Sequence, residues 1–130
     1  SGEISDLNRQ WLTIAHIIDA VRSQSPFTQI ILAASISPNP FLFGDGVLNW
    51  ETNKKWDASI VTKAYLLNMI NFASSQHYPL VDAYHPSLGP DGHGRSIYIN
   101  STDNIHPSNE GRVLFSEKIL ETIQKYRMIE

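Results

Sequence analysis

Two stretches of the sequence share a pattern capable of acid–base chemistry: Asp82-Ala-Tyr-His85-Pro86 and Asp103-Asn-Ile-His106-Pro107. An aspartate three residues ahead of a histidine in a turn lets the carboxylate accept a hydrogen bond from the ring Nδ1–H. That bond fixes the tautomer and leaves Nε2 free as a general base toward a hydroxyl nucleophile. Spacing alone says little. With 7 Asp and 5 His in the chain, random order would give about 0.3 such pairs, so a match carries a real false-positive risk.

What surrounds each pair separates them. Asp82 falls in an apolar run that reads as a strand, and His85 then opens a Gly- and Pro-containing loop with no helix to anchor it. Asp103 and His106 share one turn that ends at Ser108, a residue suited to cap a following helix. The second pair is therefore expected to carry catalysis, with His106 as base and Asp103 as its orienting acid. Asp82 and His85 keep the same possibility in a weaker setting, and a surface histidine beside a turn aspartate is the plain alternative for either. The histidines and neighbouring aspartates also offer metal ligands. No two histidines have the helical His-x-x-x-His spacing of a zinc protease, so neither a metal nor another cofactor is expected.

The elements that must position these residues follow from periodicity. Leu7, Trp11, Ile14, Ile18 and Val21 recur at spacings of three and four, which predicts an amphipathic helix over about 6–23, capped by Ser5 or Asp6 and stopped by Pro26. Gln29-Ile-Ile-Leu-Ala-Ala34 is a short apolar run between turn-formers, as in a strand buried on both faces of a parallel sheet. A second helix fits about 56–75, with Ile60 or Val61, Ala64, Tyr65, Asn68, Met69, Phe72 and Ala73 on its apolar stripe. Tyr78-Pro-Leu-Val-Asp-Ala-Tyr84 predicts a second buried strand, with Pro79 at its start. A loop over about 85–107 leads to a last helix over 108–126, with Val113, Ser116, Leu120 and Ile123 on one face and Phe115 and Ile119 beside them.

Alternating helices and strands imply an α/β layer with right-handed crossovers. Two strands cannot cover three apolar helix faces, and three or more are usually needed for independent stability. Further strands are therefore expected from outside this chain, upstream or on a separate polypeptide. The alternative is a small complete α/β domain whose extra strand is Arg95-Ser-Ile-Tyr-Ile-Asn100.

Composition narrows the function classes. At 42% hydrophobic and 18% charged, the 130 residues are too apolar for global disorder. The net charge of −3 and the scattered Lys and Arg carry no basic footprint, so nucleic acid is not an expected partner. No run approaches the roughly 20 apolar residues of a membrane span, and no basic-then-apolar signal peptide opens the chain. The absence of cysteine excludes disulfides and thiol catalysis and leaves the compartment undetermined.

The run Ser101-Thr-Asp-Asn-Ile-His-Pro-Ser-Asn-Glu-Gly-Arg112 and the helix after it resemble the last motif block of the SGNH (GDSL-type) hydrolases. There an Asp-x-x-His-Pro turn precedes a helix with a glycine a few residues in. Ile30-Ile-Leu-Ala-Ala-Ser35 with Pro38 is similar to that family's fourth strand, and Val81-Asp-Ala-Tyr84 to its fifth. The resemblance implies that residues 1–130 are the C-terminal portion of one flavodoxin-like α/β/α sandwich with a parallel sheet. It also implies ester hydrolysis through an acyl-enzyme, with His106 as base and Asp103 as orienting acid. The family's nucleophilic serine stands in a Gly-Asp-Ser block, and its oxyanion donors include a Gly and an Asn from two other blocks. None is present here; Phe43-Gly-Asp-Gly46 has glycine in the serine's place and sits mid-chain.

Each oxyanion donor contributes roughly 3–4 kcal/mol of transition-state stabilisation. The chain alone is thus expected to be nearly inactive, with the missing N-terminal half of the domain as its partner, on the same or a separate chain. The substrate would be an ester, such as an acetylated carbohydrate or a lipid. The alternative function is a non-catalytic carbohydrate-binding or assembly module of the same fold, with Trp50, Trp56, Tyr84 and Tyr98 stacking on sugars; ordinary packing is the competing role for those rings.

Overall fold

The computed structural model describes residues 2–128. Its elements are α1 (Gly2–Gln24), β1 (Leu32–Ala34), α2 (Thr52–Gln76), β2 (Leu80–Asp82) and α3 (Asn109–Lys125), with short 3-10 turns at His85–Ser87 and Ser96–Tyr98. The helix–strand alternation read from the sequence is present, as an α/β fold with a small parallel sheet flanked by helices. Among the described residues no helix is long and apolar enough to cross a membrane.

α1 starts at Gly2, so Ser5 and Asp6 lie inside the helix instead of capping it, and Asp6 makes an exposed pair with Arg9 at 3.5 Å. Its apolar stripe meets α2, where Trp11 presents an edge to the Phe72 ring at 5.0 Å and Ile18 is buried. Polar side chains complete that seam. The Asn68 amide donates to the Leu7 carbonyl and to Gln10 Oε1, both at 2.8 Å, and Gln10 Nε2 donates to the Tyr65 carbonyl at 3.1 Å. α2 begins at Thr52, ahead of its expected start, and ends at Gln76, with His77 as a left-handed C-cap. Ile60 and Val61, expected at the head of the inward stripe, are exposed, while Phe72 and Ala73 at its far end are buried as expected.

The strands pair in register Leu32↔Leu80, Ala33↔Val81 and Ala34↔Asp82. Ala34 and Val81 are buried as expected, but Ala33 is exposed, so β1 lacks the covering on both faces that its composition predicts. The two outer edges of the sheet differ. Beside β2, the Thr122 hydroxyl of α3 donates to the Leu80 carbonyl at 3.1 Å, which occupies a polar group that a neighbouring strand would otherwise pair. Leu32 N–H and the Ala34 carbonyl bond toward β2, so those of Ala33 point the other way. No strand lies there among the described residues. An apolar cleft of about 320 Å³ opens at that edge, lined by Ala33, Ser35, Ile36, Pro107, Gly111 and Phe115.

Two sequence expectations change. α3 is rotated from its predicted face: Val113 and Leu120 are exposed, while Gly111 and Thr122 are buried with Leu114 and Phe115 against the core of Ile36, Ala83 and Ile99. Close packing sets this rotation, because a Cβ on Gly111 would lie 2.2 Å from the Tyr98 carbonyl oxygen. Residues 95–100 form no strand. Ser96–Tyr98 is a 3-10 turn, and Ile99 makes a single antiparallel bridge with Pro107.

Candidate active site

The turn carrying Asp103 and His106 is tied down at both ends. Ahead of it, Asn100 N–H donates to the His106 carbonyl at 2.8 Å, and Asn104 N–H donates to the Asn100 carbonyl at 2.8 Å. Behind it, Ser108 caps α3 as predicted: its Oγ accepts from Gly111 N–H at 3.1 Å and donates to the Ile97 carbonyl at 2.6 Å. Asn104 has φ 55, a left-handed conformation that Asn enters more readily than most residues. That twist turns two successive amides onto the carboxylate. Asp103 Oδ1 accepts from Ile105 N–H at 2.9 Å and from His106 N–H at 3.1 Å, while Oδ2 meets His106 Nδ1 at 2.6 Å.

The electrostatic result follows. The Ile105 amide first, then the His106 ring and the His106 amide, favour the ionised carboxyl and hold Asp103 down to about 2. With Nδ1 engaged by an ionised carboxylate, the neutral ring carries its lone pair on Nε2. The His106 side chain is 74% exposed and that of Asp103 21%, so the imidazole is presented to solvent and the carboxylate is the less exposed of the two. His106 Nε2 has no hydrogen-bond partner among the described residues.

The first pair also forms, in the setting that the sequence marks as the weaker one. Asp82 Oδ2 meets His85 Nδ1 at 2.6 Å. Asp82 is the last residue of β2 and heads the His85–Ser87 turn, so its Oδ1 accepts from His85 N–H at 3.0 Å. The loop is anchored by a buried hydroxyl: Ser87 Oγ donates to the Tyr84 carbonyl at 2.6 Å and accepts from Ser37 N–H at 2.8 Å. Tyr84 is itself buried, with its ring edge-on to His85 at 5.0 Å; burial first, then the charge of Asp82, pushes its hydroxyl pKa up. Asp82 accepts from one backbone amide where Asp103 accepts from two. Its side chain is 30% exposed, and His85 is 53% exposed. Asp82 and Pro86 line a separate cleft of about 520 Å³ beside the covered edge of β2, with Tyr78, Lys118 and Thr122.

The aromatic residues considered for sugar stacking have partners within the chain. Trp50 stacks on Phe43 at 6.3 Å with Lys54 over its ring at 4.4 Å, and Trp56 meets Phe41 at 5.6 Å. The loop Gly92-His93-Gly94 is docked against α2. His93 lies edge-on to Trp56 at 5.4 Å, and Lys63 Nζ donates to the Gly92 carbonyl at 2.7 Å. Asn39 Nδ2 donates to the Gly94 carbonyl at 2.9 Å and so ties that loop to the exit of β1. Among the described residues no three His, Asp or Glu side chains gather as a metal-binding group.

Asn104, Asp45 and Lys55 have no role assigned by the sequence motifs. Asn104 Nδ2 donates to the Asp45 carbonyl at 2.9 Å, across 59 positions. Lys55 Nζ meets both Asp45 carboxylate oxygens, at 3.1 and 3.2 Å. An Asn inside a tight Asp-x-x-His turn was a local signal for the left-handed position; the long-range partners left none.

Neither a protein-family model nor a curated protein matches this chain. Among solved structures, the esterase domain of the ORF1 protein from the zebrafish ZfL2-1 retrotransposon is similar, with a TM-score of 0.67 at 18% identity. The match covers 92% of this chain and 60% of that one. At this identity the likeness is one of fold, and this chain spans only part of that domain's length.

Proposed function

We propose that Asp103 and His106 are the orienting acid and general base of an SGNH-type serine ester hydrolase whose serine and oxyanion donors lie outside these 130 residues. The observation that carries this reading is the 2.6 Å contact between Asp103 Oδ2 and His106 Nδ1, with Nε2 exposed and unengaged. Two further features support it. The open edge of β1 beside Pro107 suits the additional strands of a three-layer α/β/α sandwich, which would bring the nucleophile toward His106. And the fold is shared with a domain described as an esterase.

In this mechanism Nε2 takes the serine Oγ proton as Oγ attacks the ester carbonyl. Asp103, held ionised, stabilises the imidazolium that forms. The imidazolium returns its proton to the leaving alcohol and the acyl-enzyme is left. Water, deprotonated by Nε2, then adds to the acyl carbon, and collapse releases the carboxylic acid with the proton restored to serine. The substrate class is a carboxylic ester, with acetylated carbohydrate and lipid esters as the candidates to screen.

The test compares hydrolysis of a short-chain aryl ester by the 130-residue chain and by the completed domain, in which the missing half is joined to it or added as a separate polypeptide (the full-length parent). The chain is expected to stay at background and the parent to turn over. Equal activity in both would refute the half-site reading. An inactive parent would refute the hydrolase itself and leave the non-catalytic module.

A further inference from the structure

The segment 41–50 is packed onto the candidate catalytic turn. Its backbone reverses at Gly44 and Gly46, with φ 74 and 100. At Gly46 a Cβ would stand 2.2 Å from the Thr102 carbonyl oxygen, so the loop approaches the turn more closely than a side chain allows. Gly44 N–H reaches the Asn104 carbonyl at 3.4 Å, a long contact, and Asn104 Nδ2 returns to the Asp45 carbonyl at 2.9 Å. The other side of the loop is held by Lys55, at the start of α2. Its ammonium donates to the Phe41 carbonyl at 2.9 Å and forks onto the Asp45 carboxylate. The Lys55 side chain is only 14% exposed, so this ion pair is sheltered where exposed pairs are weak.

From this chain of contacts we infer that Lys55 and Asn104 are positioning residues for the His106 base, acting through the 41–46 loop. The inference rests on the hydrolase reading for its catalytic consequence, though not for its geometry. Lys55 fixes Asp45, Asp45 fixes the side chain of Asn104, and Asn104 holds the left-handed twist that aims the Ile105 and His106 amides at Asp103. In the Asp82–His85 turn the place of Asn104 is taken by Ala83, which is not left-handed, and so that turn serves as an internal control.

Asn104→Gly leaves the left-handed conformation accessible without strain but removes the side-chain donor that holds it, and Lys55→Met deletes the ammonium. Both are made in the full-length parent, singly and together, with Lys55→Arg as the charge-conserving variant. Amide hydrogen exchange at Ile105 and His106 is expected to speed up about tenfold or more in either deletion, while His85 N–H, bonded to Asp82, keeps its rate. The 15N signals of His106 should show loss of the Nδ1–H tautomer. Ester hydrolysis should lose about 10- to 100-fold in kcat with KM unchanged, since a misplaced base costs turnover and not binding. The double variant should be little worse than either single one, because both cut the same strut. Lys55→Arg should restore most of the turnover.

Unchanged exchange at Ile105 and His106 would overturn the inference, as would equal acceleration at His85, which marks general loosening. A parent that hydrolyses no ester but still shows the selective exchange and tautomer changes would sink the hydrolase reading and leave the strut standing.

Discussion

Asp82–His85 and Asp103–His106 close the same 2.6 Å contact at the same sequence spacing, yet they stand beside different edges of the sheet. Near Asp82, the outer edge of β2 is occupied by Thr122 of α3, and the local cleft is lined by charged and polar side chains such as Lys118 and Tyr78. Near His106, Pro107 borders an apolar cleft at an edge of β1 that has no neighbouring strand. The acids differ as well: two backbone amides serve Asp103 and one serves Asp82. Equal geometry within a pair therefore does not make the pairs equivalent. What distinguishes a base from a well-bonded histidine is what can be brought to its free nitrogen.

The sharpest way to break this comparison is to remove each histidine from the full-length parent. His106→Ala is expected to lower kcat/KM for an aryl ester by about a thousandfold or more, as loss of a triad base does elsewhere. His85→Ala should leave it within about twofold, the range expected of a surface side chain. The reverse ranking would move the active site to β2. Next come the acids. Asp103→Asn should reduce kcat by about 100- to 10,000-fold, because an amide oxygen or nitrogen no longer selects the Nδ1–H tautomer, while Asp82→Asn leaves kcat near the parent value. Stopped or continuous assays of all four variants, with circular dichroism to check folding, decide it.

Much of this was open to a reader of the sequence, for reasons that are local. Leu7, Trp11, Ile14, Ile18 and Val21 announce α1 because helix periodicity is a short-range property. Ser108 announces the start of α3 because capping involves a few adjacent residues. The Asp–His contact in each turn spans three positions, and both contacts formed. The failures were at longer range. Hydrophobicity put Val113 and Leu120 inward, whereas the close approach of Gly111 to Tyr98 and the reach of Thr122 to Leu80 set the helix rotation. The looseness expected of His85 disappears because Ser87 bonds Ser37, 50 positions away. Nothing near Asn104 indicated Asp45 or Lys55.

A smaller effect concerns how each turn is held. Ser87→Ala leaves the Ser37 N–H buried and unpaired, which costs about 1–3 kcal/mol of stability. Ser108→Ala removes an N-cap at a cost of about 1 kcal/mol. Urea denaturation of both variants should rank Ser87→Ala as the less stable. Hydrolysis should rank them oppositely, since Ser108 anchors the turn bearing His106 and Ser87 the turn bearing His85. A Ser87→Ala protein that keeps its fold but loses turnover would join the two turns into one functional unit.

The smallest effect is on acid stability, and its sign is fixed by Asp103. The folded protein holds this carboxyl at about 2, below its ordinary value of 3.8, so folding favours the ionised form. Its contribution is fully present above about pH 4 and is lost as pH falls through about 2, where the folded form also takes up the proton. The group is exposed enough for solvent to screen much of this contribution, so the titration is a better observable than the stability. Following the Asp103 carboxyl carbon by NMR should give a midpoint near 2 in the parent. Asn104→Gly should raise it, because the Ile105 amide supplies the largest part of the depression and Asn104 sets that amide's direction. A midpoint unmoved by Asn104→Gly would mean that the turn keeps its amides in place without the brace. The difference between the two acid–histidine pairs would then rest on the open sheet edge and on amides that the turn holds unaided.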